Sequence, residues 1–540
     1  MATPQALSFP EIINLICEKC EPSTLAALAR VGRDFTEPVL NALWRSIPDL
    51  RPLIRCMPQD LWEEEAIEFE EPRLTFCRSI LPSDWDRFKI HAVRVRKLGF
   101  SELPHYDLGL NVYGVLACAS VGRLPLLPRL THIRWLGTAD DEFPYINLFL
   151  SPFIIHLEFD ITPHSDKRSS VGLQLSLLPS LVSTCPNMEH LTLNGYGTPW
   201  ELELSLSLAM PWPQEIKSAF SIMEQWSSLH HLELEGVLDS SIPCIAKLPA
   251  LRTLVITAAR ETTEILAAHI KGFPVLESLS ISGDSTIELC IIILKFMSQV
   301  PLHSLQMEIW DVAQAVPGPE LFEAICQGIA HNSLWDIHIN CPNSGYHIVQ
   351  PDEGDLSITL GDLSPLLAFT RLSELSIELF GQFKLDNKDL QTMTSAWPHL
   401  RTLKLISLNP SEHWPQATIK GLISVVQLCP LLENLALEFD ATVVPDIMEK
   451  PVRCGARNER ICALNILCSP IDNPAKVATF LSDIFPNLRS INLFRDVMGH
   501  SWDGFDDLEL TRQKWKETES LTALFSSVRM QEKLHYTSST

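Results

Sequence analysis

The 540-residue sequence lacks several features that would assign it to a familiar class of protein. Its longest dense apolar patch, residues 289–294, is about a third of the roughly 20 residues that a membrane-spanning helix needs. Residues 1–7 contain no basic stretch followed by an apolar one, so no secretory signal is expected. The 66 acidic residues outnumber the 42 basic ones, giving a formal net charge of −24. Because this charge repels phosphate, nucleic acid is not expected as a partner.

The sequence also lacks the marks of a secreted protein. Its 14 cysteines are scattered from Cys17 to Cys468 at irregular spacings, unlike the tight disulfide framework of a small secreted domain. The one Asn-x-Ser/Thr match begins at Asn409 and contains Pro410, which disqualifies it as a glycosylation acceptor. We therefore expect reduced cysteines and an intracellular location, in the cytoplasm, the nucleus or both.

No constellation of catalytic or cofactor-binding residues is recognisable. Cys17 and Cys20 form a lone C-x-x-C pair without the second pair of cysteines or histidines that zinc requires. Residues 195–197 read Gly-Tyr-Gly but lack the third glycine of a dinucleotide site, and no phosphate-binding glycine loop, HExxH or G-x-S-x-G occurs. His230 and His231 are interpreted as one surface ring and one packed ring. The sequence therefore predicts a protein that is not an enzyme and has no cofactor or metal.

One motif recurs through most of the chain. It consists of a leucine-like residue, two others, an apolar residue, one other and an apolar residue, as in LPALRTLVI ending at Ile256 and WPHLRTLKL ending at Leu405. The last two apolar positions are two residues apart, so each copy predicts a short strand with those side chains on one face. An opening copy is placed at Ile90. Thirteen further copies begin at residues 130, 154, 188, 229, 251, 276, 302, 334, 372, 400, 432, 461 and 488.

Segments with helical periodicity separate these strands, for example residues 320–330, 418–428 and 475–484, with another at 264–270. A strand, a return helix and another strand make a right-handed turn, so successive turns place the strands in one parallel sheet. Strands lie about 4.8 Å apart but packed helices about 8–10 Å apart, so the stack is expected to curve with its helices outside. The prediction is an α/β solenoid, a horseshoe with a parallel inner sheet, and the alternative is an ordinary doubly wound sheet.

The repeat resembles the leucine-rich repeat family, in particular its longer and irregular intracellular subtype. The resemblance covers residues 90–495. The asparagine or cysteine that the family places after the second strand leucine occurs only sporadically, as near Asn194, and repeat lengths vary from 22 to 41 residues. The solenoid is thus predicted to be irregular, with no fixed number of turns.

Residues 7–48 follow a different pattern, that of three short helices. Pro10 opens the first, Glu21-Pro22 interrupts the chain, and a second and a third helix follow. This stretch resembles an F-box in LSFPEIINLI (7–16), the acidic-Pro turn, LAALARVGRDF (25–35) and the LW pair at 43–44. It departs from the family where Ser8-Phe9 replace Leu-Pro and where Gly32 replaces the cysteine before Arg33.

In the F-box family this motif binds a Skp-type adaptor of a cullin-based ubiquitin ligase, and repeats that follow it recruit the target. The resemblance is strongest to large fungal families of F-box proteins with leucine-rich repeats. It implies that this chain is a substrate receptor of an SCF-type ligase; the alternative is a scaffold or inhibitor without a ligase, whose first helices only cap the solenoid. By resemblance, adaptor contacts and internal packing are shared among Pro10, Ile12, Ile13, Leu25, Leu28, Val31 and Trp44.

The strand residues that alternate with the core positions are expected to line the inner face of the sheet, which is the usual contact surface of such arrays. Acidic residues dominate these positions, with only Arg134 and Lys404 opposing them, so a protein target with a basic patch is predicted. The candidate target-binding residues are Glu158, Asp160, Glu233, Glu235, Glu308, Asp336, Glu374, Glu378 and Glu438.

Four segments follow from these patterns. Residues 5–50 form the F-box-like module, and residues 51–89 an acidic linker with connecting helices, in which Glu63, Glu64 and Glu65 are interpreted as a solvated face. Residues 90–495 form the repeats. In residues 496–540 the repeat stops, and a loop followed by a short helix predicts a cap with a loose tail.

Overall fold

The structure is a computed structural model of the chain, divided into two compact units. The first comprises Met1–Gly236 and Lys247–Leu251, and the second comprises Val237–Ala246 and Arg252–Thr540. The structure describes residues 10–65, 73–100, 108, 110–120, 122, 124–136, 143–160, 169–194, 222–237, 242–258, 271–283, 286–310, 318–341, 357–379, 381–408, 414–444, 456–493 and 506–538.

The first unit contains seven α-helices among its described residues, namely α1 (Pro10–Cys17), α2 (Pro22–Leu28), α3 (Arg33–Leu43), α4 (Arg51–Ile54), α5 (Trp85–Ala92), α6 (Leu110–Ala119) and α7 (Ser169–Thr184). Its strands are β1 (Ser46–Ile47), β2 (Trp62–Glu65), β3 (Arg73–Phe76), β4 (Lys97–Leu98), β5 (His132–Trp135), β6 (His156–Asp160), β7 (His190–Asn194) and β8 (His231–Val237). Strands β1, β4, β5, β6, β7 and β8 pair in this order and are parallel. Strands β2 and β3 form an antiparallel hairpin.

One row of apolar side chains crosses the parallel strands of the first unit. Each member is the register partner of the next, and each is buried. Successive side chains of a strand point to opposite faces, so these residues face the core while their polar neighbours in sequence lie on the other face. Burying one such side chain contributes about 1.5–3 kcal/mol, so the row is the main stabilising feature of this sheet. Its members are Ile47, Leu98, Ile133, Leu157, Leu191 and Leu232.

The described helices of the second unit are α8 (Ile242–Ile245), α9 (Thr286–Phe296), α10 (Pro319–Gly328), α11 (Leu360–Leu363), α12 (Asn387–Ala396), α13 (Gly421–Leu428), α14 (Pro474–Ile484) and α15 (Asp506–Ser538). Its strands are β9 (Thr253–Ala258), β10 (Ser278–Gly283), β11 (Ser304–Ile309), β12 (Asp336–Asn340), β13 (Ser357–Thr359), β14 (Glu374–Leu379), β15 (Gln382–Lys384), β16 (Thr402–Ser407), β17 (Asn434–Ala436), β18 (Ala463–Leu467) and β19 (Ser490–Leu493). A parallel sheet runs in the order β9, β10, β11, β12, β14, β16, β17, β18, β19, and β13 pairs with β15.

The second unit has an equivalent buried row, with Leu254 at one end of the sheet and Ile491 at the other. Helices return the chain between strands, and their ends are defined by local chemistry. Asp386, for example, caps α12 by accepting hydrogen bonds from the backbone N–H groups of Lys388 and Asp389 at 2.7 and 2.8 Å. The full row is Leu254, Leu279, Leu305, Ile337, Leu375, Leu403, Leu435, Leu464 and Ile491.

The predicted fold class is confirmed. Each of the thirteen motif copies from residue 130 onward supplies one strand of a parallel sheet, four in the first unit and nine in the second. The opening copy was placed wrongly, since Ile90 is 55% exposed on α5 whereas Val95 is fully buried three residues before Leu98. The first sheet also begins before residue 90, because β1 follows α3 after two residues and pairs with β4.

The segments on either side of the repeats differ in detail from the sequence prediction. Glu63, Glu64 and Glu65 belong to strand β2, so part of the acidic linker is a hairpin. The C-terminal helix α15 has 33 residues and is not short, because no glycine or proline interrupts 506–538. The segments predicted at 195–197 and 264–270 lie outside the described residues.

Helix α15 packs against the last repeat. Its Trp515 is buried and donates a hydrogen bond from Nε1 to the Ser469 carbonyl oxygen at 2.8 Å. Glu519 accepts a hydrogen bond from the backbone N–H of Ile491, in the final strand β19, at 3.0 Å. The helix therefore satisfies a backbone donor of that strand with one of its own carboxylates. Among the described residues, no helix is long and apolar enough to cross a membrane.

Candidate functional site

The N-terminal module α1–α3 has a small core of its own. Ile13, Cys17, Leu25 and Val39 are buried together, and Leu28 packs against them while remaining partly exposed. These positions recur at helical spacing in the sequence, which is why they meet on the inner faces of three helices. Of the predicted adaptor-binding residues, Ile13 and Leu25 therefore serve the packing of the module itself.

Other apolar residues of the module face outward. Ile12 is 36% exposed and Val31 is 69% exposed, and Leu15 and Ile16 on α1 are exposed as well. Pro10 begins α1, but its side chain lies outside the described residues. Exposed apolar side chains on a module whose core is already filled are groups that a partner can bury.

Trp44, the last of the predicted adaptor contacts, packs against a helix outside the module. Its ring stacks on His91 of α5, with centroids 4.2 Å apart and planes at 24°. Nearby, the Arg94 guanidinium pairs with Glu37 at 2.8 Å and holds the pKa of that carboxyl below its ordinary value. Trp44 thus attaches the module to the segment that leads into strand β4.

The acidic candidates of the first unit lie on β6 and β8 and are partly compensated. Glu158 accepts from Arg134 Nε at 2.7 Å, and these two residues are register partners on adjacent strands. His231 lies 4.0 Å from Glu233 and lowers the pKa of its carboxyl. Glu235 follows on β8, and Asp160 ends β6 with its side chain outside the described residues.

The acidic candidates of the second unit are concentrated on β11, β12 and β14. Asp336 and Glu374 are register partners, and Glu378 lies 3.7 Å from Lys404. An open cavity of about 490 Å³ beside them is lined by Trp335, Asp336, Arg371, Ser373, Glu374 and His399. A second, of about 340 Å³, is lined by ten residues that include Glu308, His338, Glu378 and Lys404.

Glu438 differs from the other candidates. It lies two residues beyond the end of β17, beside apolar side chains such as Phe383 and Leu405, and burial raises the pKa of its carboxyl to about 7. The carboxyl is therefore only partly ionised at neutral pH. It is a desolvated acid at a loop and not one of a row of solvated carboxylates.

The structure shows a column of stacked histidines that the sequence interpretation missed. His132, His156, His190 and His231 are consecutive register partners on β5, β6, β7 and β8. Their ring centroids are 5.3, 4.0 and 3.8 Å apart, with planes within 19° of parallel. We name this group the histidine column. The signal was present in the sequence, since a histidine precedes the second apolar position in four successive copies of the motif.

Burial disfavours protonation of three members of the histidine column. It lowers the pKa of His156 to about 4 and that of His190 to about 3, and it lowers the pKa of His132 as well. Neighbouring imidazoles and Arg134 act in the same direction, because they disfavour a second positive charge nearby. At neutral pH these three imidazoles are therefore uncharged rings on the polar face of the sheet.

A second missed residue is His338, two positions after Asp336 on β12. Its Nε2 lies 2.8 Å from Asp336 Oδ1 and 3.6 Å from Glu374 Oε2. The Asp336 carboxylate, followed by Glu374, raises the pKa of His338 against the opposing effect of burial. Three side chains of metal-binding type are thus brought to one point of the acidic face.

The similarities to known proteins come from solved structures. No protein-family profile and no curated protein matches the chain. Among solved structures it is similar to the Rad7 and Elc1 complex in yeast, at 14% identity and a TM-score of 0.34, over 74% of this chain and 85% of that one. It is also similar to the leucine-rich repeat-containing protein LegL7 from Legionella pneumophila, at 9% identity and a TM-score of 0.26, over 73% and 91%. The strand-and-helix repeats give each unit the α/β solenoid fold that is typical of leucine-rich repeats, and in the first unit a helical module precedes them.

Proposed function

We propose that the chain is the target-binding subunit of an SCF-type cullin ubiquitin ligase, located inside the cell and without catalytic residues of its own. The α1–α3 module would hold a Skp-type adaptor, which connects to the cullin, and the polar face of the repeat strands would hold a protein target. The observation that carries the proposal is the exposed apolar surface of Ile12, Leu15, Ile16 and Val31 on a module that already has a core. Burying this surface against an adaptor removes it from water.

A second function is supported by a different observation. Helix α3 continues into β1 after two residues, and Trp44 and Arg94 join the module to the segment before β4. A terminal cap requires contacts of this kind. In a repeat scaffold or inhibitor without a ligase, the module would only have to cap the repeats. The two functions differ in whether the outward face of the module has a partner.

Single substitutions that introduce a charge distinguish the two functions. We expect Ile12→Asp and Val31→Asp to abolish binding of a purified Skp-type adaptor to the full chain, because each places a carboxylate in the contact surface. Ile90→Asp and Val443→Asp are matched controls at positions with exposures of 55% and 67%, outside the module. They are expected to leave binding unchanged in calorimetry and in co-purification with the cullin.

Two results would argue for the cap. One is no adaptor binding by the unmodified chain, and the other is binding that is indifferent to Ile12→Asp and Val31→Asp. Because both positions are exposed, the variants are expected to fold, and circular dichroism verifies this. Ile13→Ala provides the contrasting case, since it removes a core side chain and costs about 2–5 kcal/mol in the module.

A further inference from the structure

Three donor atoms converge on the polar face of the second unit. Asp336 and His338 are two residues apart on β12, which puts their side chains on the same face, and Glu374 is the register partner of Asp336 on β14. One carboxylate oxygen from each acid and one imidazole nitrogen all lie within 4.8 Å of one another. The strand register itself therefore brings these groups together.

The separations match those between ligands of one metal ion. A tetrahedral zinc ion with bonds of about 2.0–2.1 Å holds adjacent donors about 3.3 Å apart. His338 Nε2 lies 2.8 Å from Asp336 Oδ1 and 3.6 Å from Glu374 Oε2, on either side of that value. Asp336 Oδ1 is shielded from solvent and makes no hydrogen bond of regular geometry in the described part of the chain, although His338 Nε2 lies 2.8 Å from it; a bound ion would satisfy both atoms.

A neighbouring strand supports this arrangement. Ser304 on β11 donates a hydrogen bond from Oγ to Asp336 Oδ2 at 2.9 Å, which orients the carboxylate and leaves Oδ1 directed to the other donors. Such outer contacts are typical of metal ligands, whose orientation they fix. Asp336 and Glu374 also border the cavity of about 490 Å³, which His399 lines as well, so there is room for water or a further donor.

We propose that Asp336, His338 and Glu374 form a binding site for a divalent cation of the zinc class. One imidazole and two carboxylates are borderline-to-hard ligands, which suit Zn²⁺ and Co²⁺ and do not suit soft copper(I). The ion neutralises the two carboxylates, which otherwise repel each other across β12 and β14. With three protein ligands it keeps a coordination position facing the cavity, where a donor from a bound partner can complete the shell.

The experiment titrates the full-length protein with Co²⁺ by absorption spectroscopy and with Zn²⁺ by calorimetry. We expect one equivalent of Co²⁺ to give the visible bands of a nitrogen- and oxygen-ligated ion, without the thiolate charge-transfer band of a cysteine site. Asp336→Asn, His338→Gln and Glu374→Gln are each expected to weaken this site by more than about tenfold, and Ser304→Ala by about tenfold, the lower end of the effect of outer contacts.

Glu378→Gln is the matched control, because Glu378 lies on the same strand and face as Glu374 but pairs with Lys404. It is expected to leave the one-equivalent signal unchanged, and His303→Gln controls for histidine removal elsewhere on the surface. The variants change partly exposed side chains, and thermal unfolding verifies that they fold. The proposal is overturned if the unmodified chain shows no such signal, or if the signal persists in His338→Gln; His338 then only contacts the two carboxylates, without a metal ion.

Discussion

The histidine column predicts that the first unit loses stability in mild acid. The pKa values of His156 and His190 in the folded chain, about 4 and about 3, lie below the ordinary value of 6.5 that applies on unfolding. Between these values the unfolded chain binds more protons, so the free energy of unfolding falls as pH drops through 6.5. At pH 5 the difference is about 2 kcal/mol per ring, or about 1 kcal/mol after allowance for solvent screening of half-buried rings.

Charged and titratable groups around the column also shift the pKa values of His156 and His190. His132, His231, Arg134 and Lys97 oppose protonation of His156, and Glu233 favours protonation of His190. The expected loss for the two rings together between pH 7.5 and 5.0 is therefore about 2 kcal/mol. The double variant His156→Phe/His190→Phe keeps aromatic stacking but removes both imidazoles. It is therefore expected to abolish their share of the pH dependence of the free energy of unfolding.

The assay is urea unfolding of the unmodified and doubly substituted chains at pH 7.5 and 5.0, with the imidazole pKa values measured by NMR. His230→Phe is the matched control, because His230 is exposed next to the column. It is expected to retain the acid sensitivity that comes from His156 and His190. The reasoning fails if the double variant is as acid-sensitive as the unmodified chain, or if both imidazoles titrate near 6.5.

Three further predictions concern single positions and the acidic face. Gly99→Ala is expected to lower the free energy of unfolding by about 2–4 kcal/mol, because Gly99 has φ +87° and a Cβ there would lie 1.9 Å from the Arg134 carbonyl oxygen. Gly122→Ala is its control: Gly122 has φ +77° but open space around it, so the same urea assay should show a loss of about 1 kcal/mol. Glu438→Gln is expected to stabilise the chain by about 1–2 kcal/mol at pH 8 but hardly at pH 5. The reason is that a carboxyl whose pKa is raised on folding lowers the free energy of unfolding as pH rises from 4.5 through about 7. Equal effects at both pH values would contradict this. A lysine-rich probe peptide is expected to bind the chain more weakly as NaCl increases, and salt-independent binding would argue against an acidic target surface.

The strands were predictable because their signal is local. An apolar pair two residues apart after a leucine-like residue has to face the core. Both members of the pair are buried in twelve of the thirteen copies, and in the last copy Ile491 is buried while Leu493 is partly exposed. The opening copy failed where the strand has only two residues, Lys97 and Leu98, so that Ile90 on a helix imitated its start. A pattern of period two cannot be recognised over so short a length.

The candidate sites were less predictable because they depend on which residues meet across repeats. Helical spacing identified Ile12 and Ile13 alike, but only packing of α1 against α2 and α3 shows that one is exposed and the other buried. The sequence predicts Glu438 as one more acid of the inner face, because Phe383, which helps to desolvate it, lies 55 residues earlier in the chain. His338 gains its significance from Glu374 on another strand, 36 residues later.

The hydrogen bond from Ile491 to Glu519 has a consequence for how such an array can grow. A free edge strand is a template for another strand, whether from a further repeat or from a second chain that aggregates with it. By occupying a donor of β19, helix α15 makes that edge a poor site for addition. Lengthening the array by gene duplication is therefore easier between existing repeats than after the last one, and variants that detach α15 are expected to form intermolecular β-structure.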